Sequence, residues 1–408
     1  MKPQAYPAPN DDVAAEPRLA PARVWVLSSP RAGERTQLLA LAHALGLPFA
    51  VKRVVYRRFG TVPGLLGYEG LAGVDLERSD PLTGPWPDLV LLAHHQNEPV
   101  ARWIKRRSGG RTRLVVIGRP WARLRKFDLV VTTPQYQLPT AENVLLNALP
   151  LHPVTPERLA QAAAAWRPKV AHLPGPYVTV LVGGSSGPYR FDAEAAARLG
   201  REVSELARGL GGAVLVTTSA RTPAAAVDAL FAAIDAPAYL HRWTPGGADN
   251  PYLGFIGLAE RIVVTADSIS MIAEACASGR PVQMFAFGPK GALAMREDLP
   301  AMAVDPLGRR LVALLYAAWL KLPRGRFNRA RDLRVVHRAL LAAGRVSWLG
   351  APLPAASVRL AGNEITRTIN RLRDLLRGRE AAAELASGRG QRQGMSGAAA
   401  AEPMAAAG

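Results

Sequence analysis

Short runs of consecutive apolar residues, each answered by a helix-patterned segment, recur along the chain in two series. Unbroken apolar runs of this length suit strands buried on both faces, and their alternation with helices predicts parallel sheets covered by helices on either side. The first series reads as strand over 23–28, helix over 32–45 ended by Gly46, strands over 49–56 and 88–93, a helix from Glu98, and strands over 112–118 and 127–133. The second reads as strand over 177–184, helix over 192–210, strand over 213–219, helix over 222–234, strand over 238–243, helix over 250–260 and strand over 261–266, then a helix and a last strand over 281–287. Between them Pro150, Pro153, Pro156, Pro168, Pro174 and Pro176 mark a linker with one short helix.

At 408 residues the chain exceeds what one core usually organises. The expectation is an α/β protein of two Rossmann-like doubly wound lobes, residues 21–170 and 171–325, followed over 326–380 by basic helices free to pack across the lobes. Residues 1–20 and 381–408 lack apolar periodicity and read as a disordered lead and tail. The run LVALLYAAWL at 311–320 is half a bilayer span and reads as a core helix. With no apolar core in residues 1–20 to make a secretory signal, a cytoplasmic protein is expected. A single cysteine, Cys276 among alanines, excludes a disulfide scaffold, and the absence of Cys/His clusters argues against structural zinc.

The net charge of +19 is unevenly placed. Residues 21–170 carry 21 basic and 10 acidic side chains, residues 171–300 carry 10 and 12, and residues 301–408 carry 18 and 7. The stretch 101–127 alone holds ten basic residues and no acid. Such a stripe attracts an anionic membrane surface, a phosphorylated substrate or nucleic acid, or is simply a solvated arginine-rich face. No nucleic-acid-binding motif accompanies it, which sets that partner aside.

Ligands of doubly wound sheets bind beyond the carboxyl ends of the strands, and phosphates favour helix N-termini. Three second-lobe loops meet that description. GGSSG places Gly183, Gly184, Ser185 and Ser186 directly after a strand; GADNPY places Asn250 at a helix start; and TADSIS runs from Thr265 through Asp267 and Ser268 to Ser270. None matches the dinucleotide or P-loop glycine patterns. Ser268, Ser270 or Asp267 as helix cap, worth about 1 kcal/mol, explains the last turn by itself. Capping leaves over Glu274, four residues after Ser270 and so on the same face, which suits a ribose or sugar diol or is an exposed helix glutamate.

The runs 249–282, 181–192 and 25–46, with FDLVVTTPQYQLP and LPLHPVTPERL, closely resemble the family named for plant elongated-mitochondria fission factors, whose bacterial members are classed provisionally as glycosyltransferases. The likeness covers about 23–375, and NPY followed by VTADSISM, EA and GRPV carries most of it. It implies a GT-B-like plan, with an acceptor in the first lobe and a nucleotide-sugar, as substrate rather than cofactor, in the second. By that resemblance Glu274 binds the donor ribose, and Ser268, Ser270 and the helix N-terminus hold the diphosphate. Arg31 and Gly33 keep the family's first-lobe loop, whereas Ser29-Pro30 and Gln135-Tyr136 depart from it, the latter standing where His-Asp is usual.

His94 and His95, at the end of an apolar strand, are candidate bases for an acceptor hydroxyl or incidental loop histidines. No acidic pair stands in metal-ligand spacing, so no metal is expected. The function expected is transfer of a sugar to a cell-envelope glycan or lipid-linked acceptor, at or near the inner face of the membrane. The alternative is a non-catalytic adaptor that keeps the fold and recruits a protein partner.

Overall fold

The computed structural model describes residues 22–58, 60, 68–186, 189–247, 249–287, 331–353 and 364–377. The expected lead, tail and 311–320 helix lie outside the described residues. The first lobe runs β1 (Val24–Leu27), α1 (Ala32–Leu45), β2 (Phe49–Lys52), β3 (Leu89–Leu92), α2 (Asn97–Arg107), β4 (Arg113–Ile117), β5 (Leu129–Thr132) and β6 (Val144–Leu146). These strands pair in parallel in the order β2-β1-β3-β4-β5-β6.

Side chains alternate between two cores along the central strands. Val24, Val26, Leu89, Leu91, Val115 and Val131 pack with Leu38 and Leu41 of α1 on one face. Trp25, Leu27, Val90, Leu92, Leu114 and Val116 pack with Val100 and Ile104 of α2 on the other. Because a strand turns successive residues to opposite faces and both faces are covered, every position must be apolar, which is why the runs lack alternation.

The second lobe adds α3 (Pro156–Val170), β7 (Tyr177–Leu181), α4 (Ala193–Gly209), β8 (Ala213–Thr217), α5 (Ala224–Ala232), β9 (Ala238–His241), α6 (Tyr252–Leu258), β10 (Arg261–Thr265), α7 (Ile269–Ala277), β11 (Val282–Phe285), α8 (Leu333–Ala342) and β12 (Ser347–Trp348). Its sheet is also parallel, in the order β12-β11-β10-β7-β8-β9. Counted from β7, this is the 3-2-1-4-5-6 order of a Rossmann sheet. The molecule is thus two doubly wound lobes in tandem.

The proline-dense stretch holds more order than a linker with a short helix. Thr155 caps α3 by accepting the Arg158 amide at 3.3 Å, and Pro156 occupies the first turn, where a missing N–H costs nothing. The helix runs 15 residues and packs on α6 of the second lobe. Two glycines permit this approach: a Cβ on Gly254 would lie 2.4 Å from the Trp166 ring, and one on Gly257 would lie 2.5 Å from the Leu159 carbonyl.

The basic C-terminal helices divide between the lobes. Leu333, Val336 and Leu340 of α8 join the second core. A helix over 364–377, here α9, returns to the first lobe, where Ile369, Leu372 and Leu376 enter the core on the α1 side. The Asn147 amide donates to the Thr368 hydroxyl at 3.1 Å and fixes that docking. Among the described residues, no helix is long and apolar enough to cross a membrane.

Candidate functional site

Strand order reverses between β1 and β3 in the first sheet and between β7 and β10 in the second. At such switch points adjacent loops diverge and open a crevice at the carboxyl ends of the strands. The loops concerned are Ser28–Arg31 and Ala93–Gln96 in the first lobe, and Val182–Ser186 and Ala266–Ser268 in the second. They carry Arg31, His94, His95, Gly183, Gly184, Ser185, Ser186, Asp267 and Ser268, while Gly33, Asn250, Thr265, Ser270 and Glu274 lie on neighbouring elements.

In the second lobe Asp267, fully buried, is the centre of a network rather than a helix cap. Its carboxylate accepts the Thr265 hydroxyl at 2.8 Å and the Gly184 amide at 3.1 Å, and pairs with the Arg221 guanidinium at 2.8 Å. Burial raises the Asp267 carboxyl above its ordinary range, with Arg221, Thr265 and Gly184 pulling back. Thr265 in turn accepts the Gly183 amide at 2.7 Å.

The two glycines are there to admit these partners. A Cβ on Gly183 would fall 2.5 Å from Asp267, and one on Gly184, at φ +151°, would fall 2.2 Å from the Arg221 carbonyl. Their amides are therefore committed to Thr265 and Asp267. Ser185 accepts the Phe191 amide at 3.2 Å, and Ser186 bridges to Tyr189, so both serines shape the loop.

The α7 N-terminus differs from the capped helix expected. Ser268 sits at the N-cap without a side-chain cap bond, and Asp267 is engaged elsewhere. The turn is held from behind instead: the His337 ring bonds the Ala266 carbonyl at 2.7 Å and Arg331 donates to the Asp267 carbonyl at 3.3 Å. Burial pushes His337 down to about 4, so its neutral ring donates this bond at neutral pH. Neither His337 nor Arg331 carries a local sequence signal, since both reach the turn from beyond β11.

Glu274 is no exposed helix glutamate. Its carboxylate accepts the Tyr252 hydroxyl, and burial pushes it up to about 7 against the pull of Tyr252 and Arg158. Asn250 lies just outside α6, which starts at Tyr252; its side chain accepts the Tyr252 amide at 3.1 Å and so sets the helix that aims Tyr252 at Glu274. Cys276 is buried and its thiol is raised to about 11, as an inert core residue should be.

In the first lobe Ser29 forms a tight turn, its hydroxyl taking the Arg31 amide at 3.2 Å and reaching Glu34 at 2.5 Å, while Arg31 pairs with Glu34 at 3.2 Å. Glu34, which the sequence did not flag, is thereby fixed on the first turn of α1 near His94. His94 is buried and its Nδ1 has no partner within the protein. Burial lowers its pKa, Glu34 raising and Arg31 lowering it further. His95 stacks on Trp121 at 3.8 Å and is lowered to about 4, chiefly by burial. Gln135 is buried and bonds Thr133, and Tyr136 lies under Arg119.

The lobes meet where these loops face each other. A Cβ on Gly33, in the first turn of α1, would lie 3.6 Å from the Ser270 hydroxyl in the first turn of α7. A second bridge joins the Asp332 amide to the Gln135 carbonyl at 2.9 Å. Both helix N-termini lack a side-chain cap, and Arg31, Arg221 and Arg331 stand at these two turns. Arg31 and Arg221 are paired with Glu34 and Asp267, so the features here that favour an anion are the two helix N-termini and Arg331. Among the described residues, no three His, Cys, Asp or Glu side chains are grouped to hold a metal. In the basic stripe, Lys105 and Arg113 pair with Asp128 and Arg102 and Lys126 with Glu69, while Arg107, Arg111 and Arg125 are exposed.

Among solved structures, the chain is similar to MurG of Acinetobacter baumannii, with a TM-score of 0.39 and 16% identity over 89% of this chain and 94% of that one. It is also similar to UDP-GlcNAc 2-epimerase of Neisseria meningitidis bound to UDP-GlcNAc, with a TM-score of 0.41 and 12% identity over 86% and 100%. An uncharacterized protein of Rickettsia prowazekii is 22% identical over 293 residues, 64% of this chain and 82% of that protein. The mitochondrial fission protein ELM1 of Arabidopsis thaliana is 29% identical over 238 residues, 53% of this chain and 54% of that protein. The chain spans about half the length of this plant relative. The family model described as Mitochondrial fission ELM1 matches residues 32–296, from α1 past β11, and the chain belongs to that family.

Proposed function

We propose that the protein is a GT-B-like glycosyltransferase in which the second lobe holds a nucleotide-sugar and the first presents an acceptor hydroxyl of a cell-envelope glycan or lipid-linked saccharide. The observation that carries this reading is the meeting of two uncapped helix N-termini at Gly33 and Ser270, with arginines at both turns. In the transfer the acceptor O–H loses its proton, its oxygen bonds the anomeric carbon, and the bond from that carbon to the diphosphate breaks. The departing nucleoside diphosphate gathers negative charge, which fixed helix dipoles and guanidinium groups stabilise without a metal.

On this reading Ser268, Ser270 and the α7 amides receive the diphosphate, with Arg331 and Arg221 beside it. Glu274 takes the ribose diol once Tyr252 yields its hydrogen bond. His94, neutral and with Nδ1 unpartnered, accepts the acceptor proton, and Glu34 stabilises the imidazolium that results. The exposed Arg107, Arg111 and Arg125 set the first lobe against an anionic membrane surface. The test is thermal stabilisation by a panel of UDP-, GDP-, ADP- and dTDP-sugars, with Glu274→Ala as control. Stabilisation by one class, lost in Glu274→Ala, supports the reading; no response to any of them overturns it.

The second reading, a non-catalytic adaptor that binds a protein partner, is favoured by one observation: the Glu274 carboxylate is already engaged by Tyr252. It predicts no nucleotide response from wild type or from Tyr252→Phe, which leaves Glu274 unengaged.

A further inference from the structure

The first two residues of α2 organise the first-lobe crevice. Asn97, 1% exposed, donates to the Leu27 and Ser28 carbonyls at 3.3 and 3.1 Å and accepts the Tyr56 hydroxyl at 2.6 Å, so it ties the loop after β1 to α2. Glu98, 2% exposed, turns the other way. Its two carboxylate oxygens accept the Trp121 amide at 2.7 Å and the Ala122 amide at 2.8 Å. A buried carboxyl group whose two oxygens take two adjacent amides holds the loop in place, because without these bonds its oxygens and the amides would lose their partners.

The gripped loop carries an indole that touches the candidate base pair. Trp121 lies flat on the His95 imidazole, centroids 3.8 Å apart and planes within 9°. His95 in turn sits against His94, centroids 4.2 Å apart. A carboxyl group, a loop, an indole and two imidazoles thus form one contiguous chain that ends at the carboxyl end of β3. Resting on the reading of the first lobe as the acceptor side, the geometry points to Glu98 as a positioning residue: it fixes Trp121, and through Trp121 it holds His95 and His94 oriented and desolvated at the end of β3. Glu98 does not touch substrate on this view; its effect passes through the indole.

The inference is read by NMR of histidine-labelled protein, without any transferase assay. In the unsubstituted protein an NOE joins the Trp121 indole and His95 imidazole, and the His95 ring protons show the displacement of a stacked neighbour. Trp121→Ala abolishes that displacement and sets its full amplitude. Glu98→Gln, which keeps shape and folds by far-UV circular dichroism, loses part of it, and the His95 pKa rises from about 4 toward 6.5. Absence of the NOE, or a folded Glu98→Gln protein with His95 shifts and titration unchanged while Trp121→Ala moves both, overturns the inference. A positive result in a protein that binds no nucleotide-sugar leaves the positioning role standing and removes the transferase reading.

Discussion

At the scale of single residues, the second-lobe site is governed by two carboxylates with opposite tasks. Asp267 is spent on structure, since it closes the β7 loop onto the β10 turn and neutralises Arg221. Asp267→Asn keeps the volume but leaves at least one of these donors without its acceptor. It should lower stability by about 2 kcal/mol, read as a lower urea midpoint at unchanged slope; an unchanged midpoint contradicts the network. Glu274 is held differently. With Glu98 it is raised from 4.5 to about 7, so the folded chain keeps these protons to higher pH than the unfolded chain. The stability each contributes is fully present below about 4.5 and is lost as pH rises through 7. Glu274→Gln should therefore flatten the fall in denaturation midpoint between about pH 5 and 7.5, and an unaltered slope would show that Glu274 titrates normally.

The sequence marked Glu274 as the residue that helix capping leaves over, and in the structure its carboxyl is buried against the Tyr252 hydroxyl. Its partner was not legible. Tyr252 stands 22 positions earlier, and only the packing of α6 and α7 about β10 brings the two together. Asp267 misled for a related reason: an acid before a helix reads locally as a cap, whereas, besides Thr265, its partners Gly184 and Arg221 come from the β7 and β8 loops remote in sequence.

At the scale of elements, the buried strands were legible because a strand covered on both faces must be apolar throughout. The edge strands β6 and β12, three and two residues long, were not, because little of them is buried and no run marks them. The placement of α3 was equally hidden. Its helical start shows in Thr155-Pro156, but its seat on α6 depends on Gly254 and Gly257, whose role appears only when Trp166 and Leu159 lie against them. Gly254→Val should force these helices apart and cost about 1–3 kcal/mol, seen as a lower denaturation midpoint. Leu372→Ala in α9, buried in the first-lobe core, should cost about 2–5 kcal/mol and increase amide exchange over 364–377. A midpoint unmoved by that change would mean α9 is not docked as described.

At the scale of the whole molecule, the chain crosses back between lobes, so that the first is finished by sequence from beyond the second. α3 precedes the second sheet yet packs on it, and α9 follows the second sheet yet completes the first core. This arrangement sets the two switch-point crevices opposite one another, with Gly33 against Ser270 and Gln135 against Asp332. The paired series of strands and helices made two lobes readable; which surfaces face each other was not, since it rests on one glycine and a few backbone atoms.

The central claim is that an anionic nucleotide seat lies between the α1 and α7 N-termini. Hydrogen exchange with and without the nucleotide-sugar that stabilises the protein most tests it directly. The prediction is slowed exchange over 265–271 together with 29–34, and little change over 364–377. Protection confined elsewhere, or none at saturating nucleotide-sugar, would contradict it.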